Sequence, residues 1–282
     1  MSEKDFRKKQ IVLLTDCLAG FEGGSERQIF ELAKRLDKAK YQITITSLEC
    51  EGAAPEEPVR AIACDLKIFR VKRIYGLSGL REGWRFYHFL RKQKVDILMT
   101  YHFSSDIWGT VWARAAGVPT IISNRRDMGF WRNQWHCQAY RFINRWVSKM
   151  IVVAVSVKQK IMLDENIPSE KIEVIYNGVD VPAEHPPGRK SAIRIQLGLS
   201  DDTRVIMHVA NLKPVKGHIY LLRAFAEIVR KFPKTVLVLV GEDELNGTLE
   251  RLVQKLRKRC KIYYKKILKL LLLQFQLLKN QF

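Results

Sequence analysis

The chain has 282 residues, 47% of them hydrophobic, with 49 Lys+Arg against 29 Asp+Glu and a formal net charge of +20. That apolar content excludes a disordered chain, the lack of a strict Gly repeat excludes a fibrous one, and the length suits two domains that each bury a core. The basic balance suits an anionic ligand such as a phosphate ester, or an acidic membrane surface; no nucleic-acid-binding motif is recognisable, so no nucleic acid partner is expected.

The opening MSEKDFRKKQ carries charge where a secretory leader needs an apolar core, and no later run offers 18 uninterrupted apolar residues. A cytoplasmic location is expected, with peripheral contact at the inner membrane face at most. Cysteines 17, 50, 64, 137 and 260 form no CxxC pair, so thiols and no metal site are expected.

Along the chain, short β-rich apolar runs alternate with segments of helical period. Ile11–Thr15 reads as a strand; Ile29, Leu32, Ala33 and Leu36 mark a helix, and Ile43–Leu48 a second strand. The alternation continues through a strand over Lys67–Val71, a helical stretch around Trp84, Tyr87 and Leu90, and a strand over Val95–Tyr101. A helix over Ile107–Ala116, strands over Pro119–Ser123 and Met150–Val155, a helix ending near Asn166, and Ile172–Ile175 follow. Such alternation predicts a parallel sheet covered by helices on both faces. The breaker cluster after Asp180 marks a boundary, giving domains over 1–180 and 181–256. Beyond it the pattern predicts a helix near Arg189–Leu197, a strand over Arg204–Ala210, a helix over Gly217–Phe232, a strand over Thr235–Val240 and a helix near Thr248–Lys258.

Two loops between strand and helix are suited to phosphate. Gly23 and Gly24 lie between the first strand and a helix starting near Ser25, where backbone can approach an anion at a helix N-terminus. The loop matches neither the dinucleotide nor the P-loop glycine pattern, and a plain turn is an equal reading. In the second domain, Val209-Ala-Asn-Leu-Lys-Pro-Val-Lys-Gly-His218 again runs from strand to helix. Lys216 and Gly217 there can bring an ammonium and helix N–H groups onto one diphosphate.

Gly23-Gly24-Ser25-Glu26-Arg27-Gln28, Val174-Ile-Tyr-Asn-Gly-Val-Asp180 and Val209–His218, in this order and extended by Ala224-Phe225, Phe232-Pro233 and Leu237–Gly241, resemble family 4 of the GT-B glycosyltransferases. The resemblance covers roughly residues 10 to 255. It implies an α/β chain of two Rossmann-like domains, the first on the acceptor side and the second binding a nucleotide sugar, UDP- or GDP-linked. It further implies sugar transfer with retention, without metal or cofactor, to a glycan or lipid-linked acceptor in cell-surface polysaccharide synthesis. Carried over residue by residue, Gly23 and Gly24 approach the donor phosphates and Lys216 pairs with the diphosphate, with Gly217 and Asn211 beside it. Many relatives have an arginine where this chain has Asn211.

His102, at the end of the Val95–Tyr101 strand, falls where the family often has a histidine lining the cleft; it is the catalytic candidate, against a purely structural role. Arg125 and Arg126, after the next strand, either bind an anionic group on an acceptor or face water. A sugar-nucleotide epimerase shares this fold, but the glycine loop and the Lys-Gly motif fit the transferase better.

The family also shows an E-x7-E pair whose acids contact sugar and ribose, whereas nothing after Glu250 is acidic here; Arg251 to Phe282 holds ten Lys/Arg. Residues 257–282 lack Gly, Ala, Val, Ser, Thr, Pro, Asp and Glu, a composition that reads as a non-native tail after truncation or frameshift ahead of a basic amphipathic membrane helix. The alternative to an active transferase is therefore a remnant that binds acceptor, membrane or partner without sugar transfer.

Overall fold

The computed structural model describes residues 7–18, 24–50, 54–180, 194–195, 197–241, 251 and 262–264. Gly23, residues 181–193 and 265–282, and all but residue 251 of the helix expected over 248–258 lie outside these residues. The chain divides into a unit of Met1–Asp180 and a unit of Val181–Phe282.

In the first unit, β1 (Lys9–Leu18), α1 (Gly24–Arg35), β2 (Tyr41–Cys50), α2 (Glu56–Ala61), β3 (Asp65–Ile68), α3 (Leu77–Lys92) and β4 (Ile97–Tyr101) are followed by α4 (Phe103–Ala116). Then come β5 (Thr120–Arg125), α5 (Gln134–Ile143), β6 (Lys149–Val152), α6 (Val155–Glu165) and β7 (Ile172–Val174). The seven strands pair in the order β3-β2-β1-β4-β5-β6-β7, every pair parallel. Side chains alternate across a strand, so β1 feeds both faces. Val12 and Leu14 join a core with Phe86, Leu90, Leu98 and Trp108 under α3 and α4. Ile11 and Leu13 join a second with Ile29, Ala33, Ile43 and Ile45 under α1. Burial on both faces is why these strands read as unbroken apolar runs.

Two glycines set how closely α4 is held. A Cβ at Gly109 would meet Leu14 at 2.5 Å, and one at Gly83 would meet the Trp112 ring at 2.0 Å. Close seating of α3 on α4 sets the inner face of α3. Gly79, Glu82, Gly83, Phe86 and Leu90 are buried, whereas Trp84 is 59% exposed, because the small residues must face Trp112. Trp108 stacks on Phe86 at 4.9 Å and belongs to the core. Helix α5, which no sequence pattern suggested, opens on an Asn133 cap with His136 completing the reciprocal bond.

The second unit contributes β8 (Arg204–Val209), a 3-10 turn over Pro214–Lys216, α7 (His218–Lys231), β9 (Thr235–Val240) and β10 (Ile262–Tyr264). They form a parallel sheet ordered β10-β9-β8, packed through Leu237 and Leu239 on Leu212, Leu222 and Phe225. Strand β10 lies inside the segment that composition marks as a tail, and pairs Ile262 with Leu237.

Candidate functional site

Strand order in the first sheet reverses between β1 and β4. Loops leaving the carboxyl ends of two such strands diverge to opposite faces and leave a crevice, the usual ligand position of an open α/β sheet. Thr15 pairs with Tyr101 across these strands, which places Asp16 beside His102. A cleft of about 350 Å³ opens there, lined by Asp16, His102, Asn124, Arg126, Asp127 and Trp131 among others.

His102 is the N-cap of α4 at φ 77°, ψ 170°, a conformation essentially reserved for glycine. Its side chain makes no cap bond; Nδ1 instead lies 3.1 Å from the Thr15 hydroxyl. The capping is done from β1. Asp16 accepts the backbone N–H groups of Ser105 at 2.5 Å and Ser104 at 3.1 Å, so the α4 N-terminus is already satisfied by a carboxylate.

The structure corrects the expectation for Arg125. It is 1% exposed and neither faces water nor offers its guanidinium to an acceptor. Nη1 donates to Asp106 at 2.5 Å, while Nε and Nη2 donate to Glu165 at 3.1 Å each. Arg132 also donates to Glu165, at 2.8 Å, and the Thr100 and Ser123 hydroxyls donate to Asp106 at 2.5 Å. The Arg125 guanidinium lies 3.7 Å from the centre of the Tyr140 ring. Burial opposes charge on Arg125, but Asp106 and Glu165 outweigh it and raise the group above its ordinary value. Burial pushes the Asp106 carboxyl up, against the pull of Arg125 and of the Ser123 and Thr100 hydroxyls. This network ties β5, α4 and α6 together beneath the cleft.

Arg126 differs from its neighbour. It is partly exposed on the cleft wall and donates to the Asn177 amide oxygen at 2.6 Å. Burial lowers its guanidinium from the ordinary value, with Tyr101 countering. Asn177 belongs to the Val174–Asp180 motif, and the glycine-loop motif reaches the same segment. Gln28 donates to the Gly178 carbonyl at 3.2 Å, and Arg35 donates from Nη2 to both carboxylate oxygens of Asp180 at 2.7 and 2.8 Å. Two motifs about 150 residues apart in sequence thus meet at the carboxyl edge of one sheet. Gly24 opens α1, and Gly23 lies outside the described residues. A second cleft of about 490 Å³, with Glu49, Arg70 and Lys72 on its wall, sits at the same edge beyond β2 and β3.

In the second unit, Lys216 ends the 3-10 turn, exposed, and Gly217 at φ 72°, ψ 16° caps α7 without a side chain. The helix therefore starts at His218, one residue later than the sequence pattern suggests. Asn211 is exposed on the strand side of this loop. A Cβ at Gly241 would meet the Ala210 carbonyl at 2.0 Å, so glycine alone lets β9 end beside the loop. Behind it, His218 packs edge-on against His208, ring centres 4.6 Å apart. Burial, then His208, lowers the His218 imidazole from its ordinary value.

Among the described residues no group of three or more His, Cys, Asp or Glu could hold a metal ion, and no helix is long and apolar enough to cross a membrane.

The pattern of Glycosyltransferase Family 4 matches residues 22–182, and that of Glycosyl transferases group 1 matches residues 189–278. The second match runs past residue 255, where the motif resemblance stops. The Escherichia coli UDP-Gal:alpha-D-GlcNAc-diphosphoundecaprenol alpha-1,3-galactosyltransferase is 28% identical over 175 residues, 58% of this chain and 45% of that protein. The putative glycosyltransferase EpsF of Bacillus subtilis is 24% identical over 81% of this chain and 61% of its own length. The chain thus spans about half of the curated relatives it matches. The crystal structure of Anabaena Alr3699/HepE in complex with UDP and glucose superposes with a TM-score of 0.70 at 20% identity, over 89% of this chain and 68% of that one. The α/β fold expected from sequence, of GT-B type, is thereby borne out.

Proposed function

The chain belongs to glycosyltransferase family 4, and we propose that it moves a sugar, with retention, from a UDP- or GDP-linked donor to a glycan or lipid-linked acceptor in cell-surface polysaccharide synthesis. In that reaction the bond from the anomeric carbon to the diphosphate oxygen breaks and a bond to an acceptor hydroxyl oxygen forms. The hydroxyl proton leaves with the nucleoside diphosphate. The observation that carries this reading is His102, held in a glycine-only backbone conformation at the switch point of the sheet. Strain of that kind gathers where a side chain has work to do.

The Thr15 hydroxyl donates to Nδ1 in this account, so Nε2 carries the proton and donates to a sugar hydroxyl in the cleft. Arg126, which donates to the neutral amide of Asn177, supplies positive charge for an acceptor phosphate. The Lys216 ammonium and the N-terminus of α7 stabilise charge on the departing diphosphate. The residues present call for no metal or organic cofactor in these roles.

The UDP-sugar-acting relative named above takes a diphosphoundecaprenol acceptor, a lipid. A lipid-linked acceptor here is supported by the outer face of α3. Leu77, Leu80 and Trp84 project from it at helical spacing, Tyr87 stacks on Trp84, and Tyr75 meets Trp135 at 5.4 Å. Residues 65–95 hold nine Lys/Arg and two acids. Aromatic and basic side chains sharing one face suit an anionic bilayer surface on the cytoplasmic side.

The second reading is a chain that binds acceptor, membrane or partner without sugar transfer. Calorimetric titration with UDP- and GDP-sugars separates the two. A transferase binds one of them, and Lys216→Ala weakens that binding at least tenfold; a remnant shows no heat with either.

A further inference from the structure

We propose that Asp16 is a positioning residue for His102, holding the strained backbone of the imidazole in place from the neighbouring strand. In an ordinary helix start, the N-cap side chain itself accepts the N–H of the second or third helical residue. At α4 these are Ser104 and Ser105, and the N-cap is His102, whose ring is turned to Thr15. A histidine cannot use one ring for both tasks. Asp16 accepts both N–H groups through its two carboxylate oxygens, replacing the missing cap from a residue more than eighty positions away.

The consequence is a division of labour between consecutive residues of β1. Thr15 sets the direction of the ring through Nδ1, and Asp16 sets the backbone on which the ring stands. Without the carboxylate, residues 102–105 are free to relax toward a conformation that a non-glycine residue prefers, and relaxation rotates the imidazole out of the cleft. A helix cap that did nothing else would stabilise α4 by the same amount whatever residue stood at position 102.

That difference gives the test, on the full chain, by a cycle of Asp16→Ala and His102→Gly. In the native background, Asp16→Ala loses two hydrogen bonds but also releases strain at His102. In the His102→Gly background there is no strain to release. The urea midpoint is therefore expected to fall further when Asp16→Ala is made on His102→Gly than on the native chain. The His102 Cε1–H proton resonance, identified by its disappearance in His102→Gly, is expected to move in Asp16→Ala and to return part of the way in Asp16→Asn, whose amide oxygen can serve one of the two N–H groups.

Equal midpoint losses in the two backgrounds, or an unmoved His102 resonance, overturn the proposal. If Asp16→Ala does not fold, Asp16→Asn replaces it in the cycle, with the same sign and a smaller difference. The proposal rests on the transfer reading only for its effect on rate. There it predicts a lower kcat at unchanged donor KM for Asp16→Ala. Midpoints and resonances need no turnover, so failure of the clamp and failure of the transfer reading are told apart.

Discussion

The Thr15 hydroxyl lies 3.1 Å from Nδ1 of His102, and the two residues end adjacent strands at the one place where the sheet order reverses in the first unit. One nitrogen of the ring is engaged by the scaffold, and Nε2 has no partner among the described residues. Thr15→Val keeps the shape of the buried side chain and removes the bond. It is expected to cost about 1 kcal/mol of stability and to lower kcat at least tenfold; a turnover assay beside urea unfolding checks the pair.

Backbone strain at His102 makes glycine and alanine differ in an unusual direction. The conformation costs a non-glycine residue about 1–3 kcal/mol, while glycine gives up about 0.5–1 kcal/mol through its freer unfolded chain. Both variants lose the Thr15 bond. His102→Gly is therefore expected to be more stable than His102→Ala by about 0.5–2 kcal/mol, and both to be inactive. Urea midpoints of the two variants measure this, and alanine as the more stable of the two would remove the strain argument.

Arg125 is expected to matter to folding and not to ligand affinity. Removing one partner of a buried ion pair leaves the other charge uncompensated, at about 3–5 kcal/mol. Arg125→Ala strands Asp106 and leaves Glu165 with Arg132 as its remaining cation, and should unfold at markedly lower urea. Arg126→Ala, on the cleft wall, should leave the midpoint within about 0.5 kcal/mol and weaken acceptor use.

How much of this was legible in the sequence follows from the range of the interactions. The strands of the switch point declare themselves as apolar runs because both faces are covered, and His102 stands out as a polar residue at the end of such a run. The fate of Arg125 does not, since its partners Asp106 and Glu165 lie 19 and 40 residues away and adjacent arginines look alike in sequence. Asp16 reads as one residue of a glycine-rich loop, because a cap normally sits next to its helix. The inner face of α3 does not declare itself, because large aromatics outrank glycine in any hydrophobic count, whereas the seat against Trp112 admits only glycine. Helix α5 carries few apolar residues at helical spacing, and its reciprocal cap uses His136 where Glu or Gln is the usual signal.

The buried His218 gives the second unit a pH dependence of defined sign. Its imidazole titrates below the ordinary 6.5 when folded, so on acidification the unfolded chain takes up a proton that the folded chain refuses. Stability is fully present above 6.5 and falls as pH drops from there toward the folded value. Unfolding of the unit, followed by urea at a series of pH values, should show this loss, and His218→Phe should flatten it.

The aromatic and basic face of α3 is expected to bind vesicles containing anionic phosphatidylglycerol and not neutral phosphatidylcholine, with affinity falling as salt rises. Leu80→Glu with Trp84→Glu should weaken the binding about tenfold, equivalent to about 1.4 kcal/mol. Undiminished binding by this double variant in a sedimentation assay would place the lipid contact elsewhere on the chain.

Transfer itself is tested most directly by supplying radiolabelled UDP- and GDP-sugars with a membrane lipid extract and following label into the lipid or polymer fraction. The account predicts label from one donor class, lost with His102→Ala and with Lys216→Ala. No incorporation from any donor, with no nucleotide binding by the same protein, would contradict it and leave a chain that binds but does not transfer.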